Sequence, residues 1–364
     1  MPFLIKRKNT CPIKVGNVPV GGNAPVAVQS MTNTFTQDVP ATVSQIQRLE
    51  RAGCEIVRVA VPDPEAAEAI SSIKEQVSIP IIADIHFDYR LAIAAVKAGA
   101  DGLRLNPGNI GSNKKIKAVV DCAKTFNIPI RIGVNSGSLE KDILKKHNGA
   151  SAEAMVESAL RHIDLIKSLD FHNIKISIKA SDVHRTVEAY RLLSSKTDLP
   201  LHVGVTEAGG LYSGIVKSSL GIGMLLAEGI GDTIRVSLTR DPVEEVRVGY
   251  EILKALDIRR HGPDIISCPT CGRCKIDLFN IVERIEKALL LNPLPIKLAI
   301  MGCVVNGPGE AKEADLEADL GIAGGDGTGI LFKKGKVIKK FPEEKLVEVL
   351  LAEVEKFDNY RNSE

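Results

Sequence analysis

The chain has 364 residues, a formal net charge of +2 and no Trp. That length allows one large core plus a smaller second domain, while the near-neutral charge and the scarcity of aromatics argue against nucleic acid or an anionic membrane as partner. The opening Met1-Pro2-Phe3-Leu4-Ile5-Lys6-Arg7-Lys8 is too short and too charged for a signal peptide, and no apolar run approaches the ~20 residues that span a bilayer, so a cytoplasmic location is expected.

From about residue 25 to residue 258 one unit repeats: a short β-branched run, a polar turn, an amphipathic stretch. The runs are Val26-Ala27-Val28, Ile56-Val57-Arg58-Val59, Ile79-Pro80-Ile81-Ile82, Gly102-Leu103-Arg104-Leu105, Ile130-Arg131-Ile132-Gly133, Ile174-Lys175-Ile176-Ser177-Ile178, Leu201-His202-Val203-Gly204-Val205 and Thr233-Ile234-Arg235-Val236. Helical patterns lie between them, such as Thr42 to Ala52, Pro64 to Gln76, Tyr89 to Ala98 and Glu153 to Leu169, with Gly53 and Gly99 just past the ends of two. Eight strand–helix units predict a (β/α)8 TIM-type barrel. The alternative is an open doubly wound sheet, but no G-x-G-x-x-G stands between a first strand and a helix. Arg259-Arg260-His261-Gly262-Pro263 reads as a linker, which divides the chain into a barrel at residues 1–260 and a second domain at 261–364. There a helix from Asp277 to Leu290 precedes a strand at Ile296 to Ile300. Short strands near 320–322, 329–332 and 336–339 follow, then an amphipathic helix from about Glu343 to Lys356. This is the pattern of a compact α+β domain.

Catalytic groups of such barrels sit at the C-terminal ends of the strands. Those ends carry Arg58, Arg104, Arg131, Lys179 and Arg235, from five different strands. Rim charges are often only solvated, but five cations on one mouth repel one another unless an anion sits among them, and guanidinium forks suit phosphate oxygens. A multiply charged ligand, a diphosphate in particular, is therefore expected. Asp84 and His86 end the third strand and either orient hydroxyls and pass protons or make a structural hydrogen bond. Asn106 and Asn135 follow the fourth and fifth strands, Thr206 and Glu207 the seventh, and Ser237 the eighth. Glu207, leaving its strand into Ala208-Gly209-Gly210, is a candidate acid–base group, with ligand positioning as the other reading.

In the second domain Cys268-Pro269-Thr270-Cys271-Gly272-Arg273-Cys274 precedes the helix, and Met301-Gly302-Cys303-Val304-Val305-Asn306-Gly307-Pro308-Gly309-Glu310 follows the next strand. Paired cysteines at C-x2-C with a distant third point to metal in a reducing compartment. The spacing admits a structural zinc site as well as an iron–sulfur cluster. Cys11, Cys54 and Cys122 are scattered and read as small core residues.

These two motifs resemble the signature of the 4-hydroxy-3-methylbut-2-enyl diphosphate synthase family of the methylerythritol phosphate pathway. The resemblance extends to Val28-Gln29-Ser30-Met31-Thr32, Asp84-Ile85-His86-Phe87-Asp88, Leu103-Arg104-Leu105-Asn106-Pro107-Gly108-Asn109, Arg131-Ile132-Gly133-Val134-Asn135 and His202-Val203-Gly204-Val205-Thr206-Glu207-Ala208-Gly209. The direct join of barrel to second domain is similar to the shorter, bacterial two-domain form. The resemblance implies a [4Fe–4S] cluster on Cys268, Cys271 and Cys303, with Glu310 as a harder, displaceable fourth ligand. Cys274 departs from the family pattern and is the competing fourth ligand. The implied reaction opens 2-C-methyl-D-erythritol 2,4-cyclodiphosphate and removes a hydroxyl as water with two electrons. Arg58, Arg104, Arg131, Lys179 and Arg235 would hold the diphosphate, with Asn135, Ser237 and Asn306 as further contacts and Glu207 as proton donor. Flavodoxin or ferredoxin would deliver the electrons, and a homodimer would set the cluster domain of one subunit over the barrel of the other. Two other classes stay open at this point: a non-redox barrel transferase with structural zinc, and a redox sensor that binds a diphosphate without turnover.

Overall fold

The computed structural model describes residues 5–303 and 318–361, with side chains of the last helix as far as Phe357. It divides into two units, Met1–Arg259 and Arg260–Glu364.

The first unit opens with a hairpin, β1 (Ile13–Val15) and β2 (Val18–Val20). Eight parallel strands follow, each succeeded by a long helix: β3 (Ala27–Met31), α1 (Val39–Arg51), β4 (Ile56–Ala60), α2 (Pro64–Lys74), β5 (Ile81–Asp84), α3 (Tyr89–Lys97), β6 (Gly102–Leu105), α4 (Asn113–Thr125), β7 (Ile130–Asn135), α5 (Ala152–Lys167), β8 (Ile174–Lys179), α6 (Val183–Ser194), β9 (His202–Val203), α7 (Leu211–Ala227), β10 (Thr233–Ile234) and α8 (Pro242–Ala255). Neighbours pair in the order β8-β7-β6-β5-β4-β3-β10-β9. The seam between β8 and β9 is joined by a parallel bridge of Ile176 with Leu201 and by the Ile176 N–H donating to the Pro200 carbonyl at 2.9 Å. This is the expected (β/α)8 barrel.

Period-two alternation decides which side chains enter it. On β8, Ile174, Ile176 and Ile178 join the core between strands and helices, which leaves Lys175, Ser177 and Lys179 for the interior. On β7, Ile130, Ile132 and Val134 do the same and leave Arg131, Gly133 and Asn135. Each aliphatic side chain so buried contributes roughly 1.5–3 kcal/mol. The helices begin where the sequence supplies a cap: Asp38, Asp63, Asp88, Ser151, Asp182 and Asp241 each accept a hydrogen bond from a first-turn N–H. Gly53 and Gly99, just beyond α1 and α3, hold the left-handed φ values of 94° and 100° that end a helix cheaply. The hairpin, absent from the expectations above, packs Ile13, Val15 and Val20 against Ala27, Ile56 and Ile82 at the strand starts and forms an apolar floor.

The second unit is a five-stranded sheet of β11 (Asp264–Ser267), β12 (Lys297–Met301), β13 (Leu320–Gly325), β14 (Thr328–Lys333) and β15 (Lys336–Pro342), in that order. The first three strands are parallel and the last two antiparallel. Helices α9 (Leu278–Ala288) and α10 (Leu346–Arg361) share one core with Leu298, Ile300, Leu320, Ile322 and Leu331. Strand β11, also missed in sequence, leads straight into Cys268.

Candidate active site

Inward positions on β4 to β7 bring Arg58, Asp84, Arg104 and Arg131 into one neighbourhood, although Arg58 stands mid-strand on β4 and Arg131 is the second residue of β7, not at the strand ends expected for them. Asp84 is opposite Arg104 in the β5/β6 register, and Arg104 is opposite Arg131 in β6/β7. The Asp84 carboxylate, 4% exposed, bridges two guanidinium groups: Arg104 at 3.2 Å and Arg58 at 3.5 Å. The Met31 sulfur also accepts from Arg58 at 2.9 Å. Arg235 pairs with Glu245 of α8 at 3.2 Å, and Glu245 further accepts from the Ser30 hydroxyl at 3.0 Å and the Leu238 N–H at 3.1 Å. Arg131 and Lys179 are buried, and among the described residues neither has an ion-pair partner. Five cations thus face two carboxylates, a surplus of positive charge in a cup of low dielectric.

The titration shifts record that surplus. Burial, then the neighbouring Arg58 and Arg104, push Arg131 well below its ordinary value. Burial and the four guanidinium groups do the same to Lys179. Arg58 is lowered to about 10, chiefly by burial, with Asp84 opposing the shift. For Asp84, burial acts to raise the value, but Arg58, Arg104 and Arg131 together hold it below the usual carboxylate range.

A carboxylate depressed in the folded state contributes stability that is present above its unfolded value and lost as pH falls through the folded one. The expected result is a steeper loss of unfolding free energy below about pH 4 in the native protein than in Asp84→Asn. Denaturant titrations across that range measure it, and parallel acid limbs would contradict the assignment.

Two glycines make room for the cations. A Cβ on Gly133 would lie 2.5 Å from Arg104 Nε, and one on Gly204 would lie 2.8 Å from Lys179 Nζ and 2.3 Å from the Arg235 carbonyl. Real Cβ atoms do not tolerate such approaches, so only glycine lets these long side chains lie across the barrel.

The other expected residues are placed as follows. His86 is exposed, edge-on to Phe87 with ring centroids 6.0 Å apart. Asn106 is buried, and its side-chain oxygen accepts from the Gly108 N–H at 3.1 Å, so that oxygen caps a short turn instead of facing a ligand. Asn135 ends β7 opposite Lys179. The Thr206 N–H donates to the Ala180 carbonyl at 3.1 Å. Glu207 is exposed and holds a left-handed φ of 51°, a strained conformation of the sort found at functional loops. Ser237 is half-buried just past β10. Sequence reasoning missed Glu245, whose carboxylate comes from a helix where a strand-end survey does not look.

In the second unit the sulfurs of Cys274 and Cys268 both crowd Gly302, at 2.6 and 3.4 Å from where its Cβ would be. Cys303 is the next residue and is buried. Cys271 is exposed, and the Arg273 backbone N–H and guanidinium pull its thiol below the ordinary value. Thr270 carries φ 66°, a strained turn for a β-branched residue. Among the described residues no three metal-ligating side chains converge closely enough to hold an ion. The donor chemistry nonetheless fits an iron–sulfur group: soft sulfur donors around a glycine that leaves space beside them. Asn306 and Glu310 lie outside the described residues. Of the scattered cysteines, Cys54 is buried, Cys122 is half-buried, and Cys11 bonds Asp198 at 3.2 Å.

The family model described as the GcpE TIM-barrel domain matches residues 10–250, and that described as the GcpE protein C-terminal domain matches residues 264–356. The chain is 58% identical over 358 residues to a protein of Desulfotalea psychrophila (98% of this chain, 97% of the relative) named 4-hydroxy-3-methylbut-2-en-1-yl diphosphate synthase (flavodoxin). A protein of Geobacter sulfurreducens with the same name is 58% identical over 350 residues, covering 96% of this chain and 98% of the relative. Among solved structures, the dihydropteroate synthase of Xanthomonas albilineans in complex with 7,8-dihydropteroate matches with a TM-score of 0.46 and 15% identity, over 66% of this chain and 98% of that one.

Proposed function

Because this chain belongs to the GcpE family, we propose that it is a 4-hydroxy-3-methylbut-2-en-1-yl diphosphate synthase. It opens 2-C-methyl-D-erythritol 2,4-cyclodiphosphate, expels one hydroxyl as water and adds two electrons. The observation that carries this reading is the surplus of buried cations in the barrel, with Arg131 and Lys179 paired with no carboxylate among the described residues. A multiply charged anion completes such a site.

Arg58, Arg104, Arg131, Lys179 and Arg235 bind the diphosphate and offset the charge that appears on the oxygen released by ring opening. Asp84 holds two of the guanidinium groups in place, and Glu245 holds Arg235. Asn135, Ser237, Thr206 and Asn306 are further substrate contacts, with His86 and Asn106 nearby on the rim. Glu207 is the proton donor to the departing hydroxyl.

Cys268, Cys271 and Cys303, with Glu310, hold the [4Fe–4S] cluster, which when bound supplies electrons singly and one replaceable metal corner. Flavodoxin, the donor in the relatives' names, or a ferredoxin provides those electrons in the cytoplasm.

The chain works as a homodimer in which the cluster unit of one copy serves the barrel of the other. A stripe on α7 supports association: Tyr212, Val216, Leu220 and Met224 are exposed at every fourth position, one apolar face on a helix. No helix among the described residues is long and apolar enough to cross a membrane.

The test is anaerobic purification followed by iron and sulfide analysis and an assay with the cyclic diphosphate and a strong one-electron reductant. About four irons and four sulfides per chain, with turnover, is the expected result. A colourless protein carrying zinc would favour the transferase reading, and a brown protein without turnover would favour the sensor.

A further inference from the structure

Below the cationic ring the barrel interior holds polar side chains that the proposed chemistry leaves unused. Lys175 lies four residues before Lys179 on the same face of β8. It is 1% exposed, and its amine has no hydrogen-bond partner among the described residues. Its register partner on β7 is Arg131. On β9, His202 bonds Thr233 through Nδ1 at 2.8 Å, while its Nε2 has no partner among the described residues. On β3, Gln29 is buried with both amide atoms unpartnered among those residues.

Among the described residues, the charged and titratable groups around Lys175 are Arg131 from β7, His202 from β9, Asp232 just before β10, and Lys179 on its own strand. Of these Asp232 alone is acidic, and it is already engaged. It accepts from the Thr10 hydroxyl at 2.8 Å, the Leu201 N–H at 2.8 Å and Arg7 at 3.1 Å. His202 is held neutral, by burial first and by the surrounding cations second.

An ammonium group buried without a partner is strongly disfavoured. Burial, and then Arg131, lower Lys175 to about 7. Above that pH the free protein therefore carries a neutral amine there. An anion seated against Arg131 cancels the repulsion that keeps the proton away.

We propose that Lys175 is a positioning residue beneath the diphosphate site, a buried amine that takes a proton from solvent when an anion settles against Arg131 and then attracts that anion from below. This rests on the reading that the ring binds a diphosphate. Affinity should then fall as pH rises above the free-protein value, because binding requires a proton that solvent supplies less readily.

The experiment titrates inorganic pyrophosphate into the cluster-containing protein, K175M and K175R at pH 8, in two buffers of different ionisation enthalpy. Thermal melting checks that all three are folded. K175M removes the titrating group, and K175R keeps a charge that does not titrate. The native protein is expected to take up about one proton more per site than either variant. Proton exchange by pyrophosphate itself and by Lys179 is common to all three and cancels. Between pH 7 and 9 the native affinity should fall about tenfold more per pH unit than that of K175R. Equal proton uptake in all three proteins overturns the proposal and leaves the ring reading intact if pyrophosphate still binds. Absence of pyrophosphate binding to the native protein removes the ring reading, and this proposal with it.

Discussion

Replacing Arg131 with Met is expected to weaken pyrophosphate binding by about 10- to 100-fold, from the ~1.5–3 kcal/mol of a charged hydrogen bond, while leaving the fold at least as stable. The two effects have opposite causes. Arg131 is 2% exposed, its Nε is unpartnered, and among the described residues it has no ion pair. In the free protein it contributes desolvation and repulsion against Arg58 and Arg104, so an apolar side chain of similar length relieves both. Only the bound anion turns that unfavourable charge into a favourable one. Calorimetric titration and a thermal melt on the same sample measure the pair. Loss of binding with a lower melting temperature would mean that Arg131 is structural.

Asp84 supplies the control for that reasoning. It is the carboxylate between two guanidinium groups that are each 12% exposed. Removing it leaves charges uncompensated, where removing Arg131 relieves them.

The second large effect separates the cysteines. Cys268→Ser is expected to abolish the cluster, and Cys274→Ser to retain it with near-native iron and sulfide. Both sulfurs lie beside Gly302, so proximity does not distinguish them. Packing does not separate them either, since Cys268 and Cys274 both lie against the helix-side core with Ile276 and Leu278. The proposed ligand set of Cys268, Cys271, Cys303 and Glu310 does, because it leaves out Cys274, whose sulfur lies 3.4 Å from the Ile276 carbonyl. If Cys274→Ser emerges colourless, the fourth ligand is a sulfur and the replaceable carboxylate corner is lost. Iron and sulfide analysis with the visible spectrum of anaerobic samples decides this without an activity measurement.

Much of the barrel was legible because period-two alternation and aspartate caps are local signals. Ile174, Ile176 and Ile178 announce a strand by themselves, and Asp63-Pro64 and Asp241-Pro242 announce helix starts. Strands β9 and β10 were the weakest part of that reading: each is two residues long, and the closing seam rests on a few bonds around Ile176 and Pro200. The hairpin at residues 13–20 escaped notice because three-residue strands carry too little pattern to separate from loop.

The cationic ring was legible because each member takes an inward position in or just past a strand, although Arg58 stands mid-strand on β4 and Arg131 second on β7 and not at their ends. Its counter-charges were less so. Asp84 stands at a strand end, but Glu245 reaches in from a helix, and no periodicity links it to Arg235. Lys175 was visible as the alternate position to Ile174 and Ile176, yet a survey confined to strand ends passes over it. Asn106 shows a local role that a strand-end survey does not see, since its side-chain oxygen also caps the helical turn that follows at once. Asn306 and Glu310 rest on motif alone.

The small hairpin has a consequence for how this vessel exchanges its contents. Ile13, Val15 and Val20, stacked on Ala27, Ile56 and Ile82, line the lower end with hydrocarbon, against the charged groups gathered above. That asymmetry favours the upper opening, the side on which the anion docks, as the route by which solvent reaches Lys175 and His202. A seated ligand would therefore act as the cork, sealing whatever protonation state the well had reached on its arrival.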